Sequence, residues 1–289
     1  MTIRSAFFAA QGWYPANAEM CKLALEQYFA QAADDKQGAD YSCVVPHAGW
    51  RFSGAIAARG FAALDRGFRR RHQGQLPDLV ILFAGHTSPG EVPRLLCSGA
   101  FATPLGELVV DAELAERFCQ KFLCRREDVE PARPDNAIEL QLPFIKQLWP
   151  EAQVLVTTVP ADLNAALMGQ WLAQQTVERA AVAIGSTDLT HYGAPYGFMP
   201  QGVGVMAHQW SKDVNDAAFL QALIRGDDDA LLRSARLDHA ACCPGAALAA
   251  MHFARSRGVE SGQVFAHQTS YEVGGGRPDM WVGYAAIGF

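Results

Sequence analysis

Five short apolar runs rich in β-forming residues punctuate the chain, at positions 41–45, 79–84, 154–159, 180–184 and 281–287. They are almost continuously apolar, the pattern of strands buried on both faces of a sheet. Between them lie segments of helical periodicity, at 17–29, 55–68, 112–122, 137–149, 163–175 and 246–254. Strands that alternate with helices in this way predict an α/β fold with a mainly parallel central sheet and helices on both faces. No internal repeat, low-complexity tract or long Pro/Gly/Ser linker interrupts the pattern, so a single domain over residues 1–289 is expected. The most loop-like stretch, 193–204, has a length that suits an active-site loop.

Composition narrows the possibilities. The chain of 289 residues carries a formal net charge of −6, and its one dense basic run is Arg69-Arg70-Arg71. A nucleic-acid surface needs a basic face that neutralises several phosphates, so that partner is excluded. No apolar run reaches the roughly 20 residues needed to span a bilayer, and the apolar stretch near the N-terminus is too short for a secretory signal. The seven cysteines form no CxxC pair, which reads as a reduced, cytoplasmic protein.

Three of the apolar runs end in side chains that can bind a ligand. His47 follows the run in VVPHAGWRFSG, His86 follows in ILFAGHTSPG, and Asp188 and His191 follow in GSTDLTHYG. In an open α/β sheet, ligands bind in the crevice beyond the carboxyl ends of the strands. If these strands are parallel neighbours, the four side chains converge there. Any one of them alone is more often a loop residue bonded to backbone; together they point to a site. Two imidazoles at a strand edge most readily bind a transition metal, and an anionic third ligand would leave positions open for substrate. The segment LDHAACCPGAALAA offers Asp238, His239, Cys242 and Cys243. A cysteine at a helix N-terminus has its thiolate favoured, but residue chemistry alone leaves these four alternatives open. His72, in RRRHQGQ, reads as solvated, and His208, His252 and His267 as structural.

These motifs resemble a known family. VVPHAGWRFSG is similar to the PHAGYxYSG signature of the Memo family, whose bacterial members are often named AmmeMemoRadiSam system protein B. Further similarities follow in the family's order: GWYPAN, FAGHTSP, TPLGEL, DNAIELQLPF, STDLTHYG, CCPGAA and VGYAAIGF. The resemblance implies a fold similar to the class III extradiol dioxygenases. It also implies metal contacts from His47, His86 and Cys242, and places Asp188 and His191 beside the metal, where the dioxygenase-like members have an acid/base histidine. Its alignment selects Cys242 over Cys243. Where the family has EHSIE this chain has DNAIE, so Asn136 replaces a histidine that would face the site, and Asn cannot carry a proton at neutral pH. FAGH replaces GPxH, and Cys243 and Pro244 replace the residues after the first cysteine, so a substrate different from that of a typical member is expected.

The expected activity is that of a metal-dependent redox enzyme, with Fe(II), or alternatively Cu, on His47, His86 and Cys242. His191, oriented by Asp188 or by a nearby carbonyl, would do the proton chemistry on a small-molecule substrate, with dioxygen as a co-substrate. Trp50, Phe52, Tyr192, Tyr196 and Phe198 are candidates for an apolar pocket wall, Arg51 for an anionic substrate group, and Asn136 for a substrate hydrogen bond. A non-catalytic scaffold and a Zn hydrolase are the alternatives, and homo-oligomerisation is compatible with either. Asp135 or Asn136 is a natural N-cap for the following helix. Glu139 is expected to support the cap or a site histidine. Gly274-Gly275-Gly276 lacks the context of a phosphate cradle, and Asp227 to Asp229 reads as a solvated helix start.

Overall fold

A computed structural model describes residues 3–33, 35–127, 133–275 and 278–289. Its centre is a nine-stranded mixed sheet. The strands that matter for the site are β1 (Ser42–Val45), β2 (Leu79–Ala84), β3 (Gln153–Thr158), β4 (Ala181–Ser186), β5 (Gln263–Thr269) and β6 (Trp281–Gly288). They lie in the order β5–β6–β1–β4–β2–β3. The β1–β4, β4–β2 and β2–β3 pairs are parallel, whereas β6 runs antiparallel to β1 and β5. His191 and Tyr192 form a further short antiparallel strand on β6. Every residue of β1, β2 and β4 is buried, as the continuous apolar runs require for strands covered on both faces. A separate three-stranded sheet joins residues 3–4, 100–103 and 106–109.

Four helices frame the centre: α1 (Ala18–Ala30), α2 (Trp50–Arg71), α3 (Leu163–Gln175) and α4 (Pro244–Arg255). The helix α4 reads PGAALAAMHFAR and is almost wholly buried. Its small residues let the main chain of its neighbours come close. A Cβ on Gly169 of α3 would lie 2.1 Å from the Ala249 carbonyl oxygen, and one on Gly185 of β4 would lie 2.5 Å from that of Ala246. This tight seating fixes the start of α4, and with it Cys242 and Cys243, against the ends of the parallel strands.

The segment expected to be one helix over 137–149 is two, Asn136–Glu139 and Leu142–Leu148. Pro143 opens the second helix, where its missing N–H costs nothing, and it could not continue the first. Among the described residues no helix is long and apolar enough to cross a membrane.

Candidate metal centre

Because β1, β4 and β2 are parallel neighbours, their carboxyl ends open on the same side and bring residues 47, 188 and 86 together. His47 comes two residues after β1 and is 1% exposed. Its Nδ1 lies 3.0 Å from Ser186 Oγ at the end of β4, and its backbone N–H donates to Asp188 Oδ1 at 2.7 Å. Gln141 Nε2 donates to Ser186 Oγ and to the Pro46 carbonyl, locking the supporting residue in turn. With Nδ1 engaged in this way, Nε2 is the atom presented to the site. It stands 3.3 Å from Cys242 Sγ.

His86 is delivered by a turn at Gly85, where φ is +99° and a Cβ would meet Thr158 at 2.7 Å. Only glycine makes this turn without strain. His86 Nδ1 faces Asp135 Oδ1 at 3.4 Å. Asp135 also caps the following helix by accepting from the Ala137 N–H, so one carboxylate serves both tasks.

The donor atoms of His47, His86, Cys242 and Cys243 all lie within 4.8 Å of one another. The two sulfurs differ in setting. Cys242 also accepts the Asp188 N–H at 3.3 Å and faces the imidazoles. Burial alone would raise its pKa, but the Cys243 thiol and the rings of His47 and His86 outweigh burial and hold Cys242 well below the usual thiol range. Burial pushes Cys243 in the opposite direction, reinforced by Cys242. The bond to Asp135, together with that to Cys242, holds His86 up at about 10. For His47 burial works against the charged ring, yet Asp188 and Cys242 leave its pKa raised. Without a metal, these shifts favour a thiolate on Cys242 beside a protonated His86 ring.

A cavity of about 640 Å³ opens over this cluster, and Arg51, Phe52, Asn136, Asp188, His191 and Tyr196 line it together with the two histidines. Asn136 donates to the His47 carbonyl at 3.2 Å. His191 Nε2 is 3.8 Å from Asp188 Oδ2; it is buried and has no hydrogen-bond partner among the described residues. Burial lowers its pKa, and Asp188 and Cys242 more than compensate, so the ring is easier to protonate than an ordinary histidine.

Several expectations need correction. Trp50 does not line this cavity; it is buried against Tyr14 and Phe144, with Nε1 donating to the Leu140 carbonyl. Tyr192 is fully buried, stacked at 4.3 Å on Trp281, and its hydroxyl bonds Gly202 and Gln201. Phe198 packs on Trp210 and His239. Asp238 and His239 do not join the donor group. His72 is not simply solvated; its ring stacks at 4.1 Å on Phe68. Glu139 supports neither a cap nor a site histidine. It accepts the N–H groups of Phe7, Phe8 and Ala9 and the Tyr14 hydroxyl, pinning the N-terminal loop. His208, His252 and His267 bond Thr269, Asp228 and Asp216 respectively. Asp227 caps the helix Asp228–Leu237. Gly274 ends a short helix and Gly275 follows it; Gly276 lies outside the described residues.

Ser186, Gln141 and the second role of Asp135 were missed in the sequence. Ser186 and Asp135 sit beside residues already singled out, but nothing in one-dimensional spacing shows which neighbour turns toward a histidine.

A family model described as Memo-like protein matches residues 4–288. A MEMO1 family protein of Thermococcus onnurineus is 31% identical over 296 residues, 97% of each chain. Those of Thermococcus kodakarensis and Pyrococcus horikoshii are 30% and 29% identical, covering 97% and 84% of each chain. Among solved structures, an uncharacterized protein of Escherichia coli K12 aligns with a TM-score of 0.46 at 13% identity, over 86% of this chain and 99% of that one. From residue 4 to residue 288, the chain belongs to the Memo family.

Proposed function

We propose that the chain is a metal-dependent redox enzyme acting on a small molecule, with iron held by His47, His86 and Cys242. The observation that carries this reading is the convergence of two imidazoles that line the cavity with a thiol whose pKa is held low, beside an unpartnered His191 nitrogen. The donor set fits the group: two neutral imidazoles and one anionic sulfur suit Fe(II) or Cu and leave positions open. The bound metal would supply a redox-active Lewis acid.

The chain's own residues supply the rest. Ser186 fixes the His47 ring through Nδ1 and Asp135 fixes that of His86, so both donors are aimed before a ligand arrives. Asp188 orders the site by accepting from the His47 amide, and its second oxygen faces His191. His191 Nε2 takes or gives a proton at a substrate hydroxyl, and its raised pKa keeps a protonated fraction near neutral pH. Asn136 offers a hydrogen bond to substrate but no proton. A reducing compartment such as the cytoplasm belongs to this reading, in line with seven cysteines that form no CxxC pair.

Loading the metal-free protein anaerobically with Fe(II) and following oxygen uptake with a panel of catechols tests the reading. Turnover that disappears in His191→Asn while iron content is retained supports it. Absence of turnover with every substrate, in protein that holds iron, overturns it. A second reading is favoured by Cys243, whose sulfur completes a two-His, two-Cys group; that set is a closed tetrahedral zinc site. Zinc retained through purification and lost equally in Cys242→Ser and Cys243→Ser would establish it.

A further inference from the structure

A second cavity, of about 690 Å³, adjoins the one above the donor cluster. The two share Trp13, Gly49, Arg51 and Phe52 as a common wall. Beyond that wall the second cavity is walled mainly by Tyr14, Pro15, Ala24, Tyr28 and Trp50. It is several times the roughly 150 Å³ that accepts a benzene ring. Its rim carries two partly exposed aromatic rings, Trp13 at 36% and Phe52 at 37%.

Arg51 is the one charged side chain in that shared wall. Its guanidinium lies 5.6 Å from the centre of the Phe52 ring and makes no ion pair with a described residue. The first turn of α2, where it sits, holds no acidic residue, and neither Asp188 nor Asp279 across the metal-side cavity pairs with it. A cation held at the seam of an apolar cavity and a donor cluster matches a ligand that is apolar at one end and anionic at its middle.

The cavity wall is built to persist. The Trp50 N–H donates to the Trp13 carbonyl at 2.9 Å, the Tyr28 hydroxyl donates to the Trp50 carbonyl, and Glu139 holds the loop from Phe7 to Tyr14 by four hydrogen bonds.

We propose that this second cavity is the apolar subsite of the substrate, taking an aromatic group of one or two rings whose carboxylate pairs with Arg51 at the seam. The inference rests on the reading of the metal-side cavity as the substrate site and names the class of molecule that site takes: an aryl carboxylate.

The test uses the full chain freed of metal with EDTA and measures binding of 2-naphthoate, 2-naphthamide and acetate by titration calorimetry. The wild type should bind naphthoate saturably and acetate far more weakly. Arg51→Met should weaken naphthoate by about tenfold, as loss of a charge-assisted pair does, and leave naphthamide unchanged. Ala24→Trp, which fills the cavity from α1, should weaken both aromatic probes; a melting curve shows whether that variant is folded, and Arg51→Met decides the matter if it is not. Naphthoate bound no better than acetate, or unaffected by Arg51→Met, overturns the proposal. A His47→Ala/Cys242→Ser double variant separates the two readings, because it should lose metal and keep naphthoate. If the wild type takes up no metal yet binds naphthoate through Arg51, the metal assignment fails and the subsite stands.

Discussion

Two groups of cysteines in this molecule share the same element and differ in everything around it. Cys242 and Cys243 lie against two imidazoles at the strand ends. Cys97 and Cys119 lie 3.4 Å apart, sulfur to sulfur, between the sheet edge and the helix Ala112–Phe122, with Cys124 bonded to Cys119. In the first group the Cys243 thiol and the rings of His47 and His86 together outweigh burial and favour a thiolate on Cys242. In the second, burial prevails and pushes Cys119 and Cys124 up to about 11, although Arg126 pulls the other way. Proximity of sulfur atoms therefore does not make a metal centre. Nitrogen donors with fixed orientation and a field that favours the thiolate do.

The sharpest way to break this contrast is to remove one thiol from each group. Cys242→Ser should abolish stoichiometric metal retention, measured by elemental analysis after dialysis, while Cys119→Ser retains it. Equal losses in the two variants would show that the difference in setting is irrelevant. A smaller effect is expected one step out from the donors. Asp135→Asn should weaken metal binding by about 10–100-fold in a competition assay with a chromophoric chelator, and unchanged affinity would mean that the Asp135 contact does not position His86.

Alkylation of the metal-free protein probes the charge directly. Because the Cys242 pKa is lowered well below the usual thiol range, its rate with iodoacetamide should rise much less steeply from pH 7 to 9 than that of a buried, apolar thiol. The pKa of Cys124 is raised to about 11, so its rate should climb about tenfold per pH unit over the same range. Peptide mass spectrometry resolves the two, and parallel pH profiles would refute the assignment. The smallest effect is on stability: Cys119→Ser places a hydroxyl in a buried apolar setting and should cost about 1 kcal/mol in denaturant unfolding without touching metal content.

The sequence made the centre of the sheet legible because strands buried on both faces leave continuous apolar runs; the run at 79–84 and the helix at 163–175 coincide with the observed elements. It made β5 invisible, since QVFAHQT is half-exposed and alternates weakly. The helices between 205 and 225 have no such run either, whereas the helix at Asp228–Leu237 is legible from its acidic start alone. At the site, positions after strand ends identified His47, His86, Asp188 and His191 because parallel topology converts those positions into neighbours. Trp50 and Tyr192 misled because aromatic character does not reveal on which side of a helix or strand a ring is buried. Ser186 and Gln141 escaped because their contribution depends on side-chain direction across 139 and 95 residues of sequence separation.

The three donors assigned to the metal stand at positions 47, 86 and 242, on segments that meet only after β1, β4 and β2 have paired and α4 has seated against them. No contiguous fragment of the chain short of that assembly can present all three. A cation held by the full set, as proposed, would favour the finished molecule over any fragment, and mass action would turn that selectivity into a latch on the native state whose strength grows with the logarithm of the free ion concentration. Metal supply in the cell would thus govern not only how much of this protein is competent but how long each copy survives.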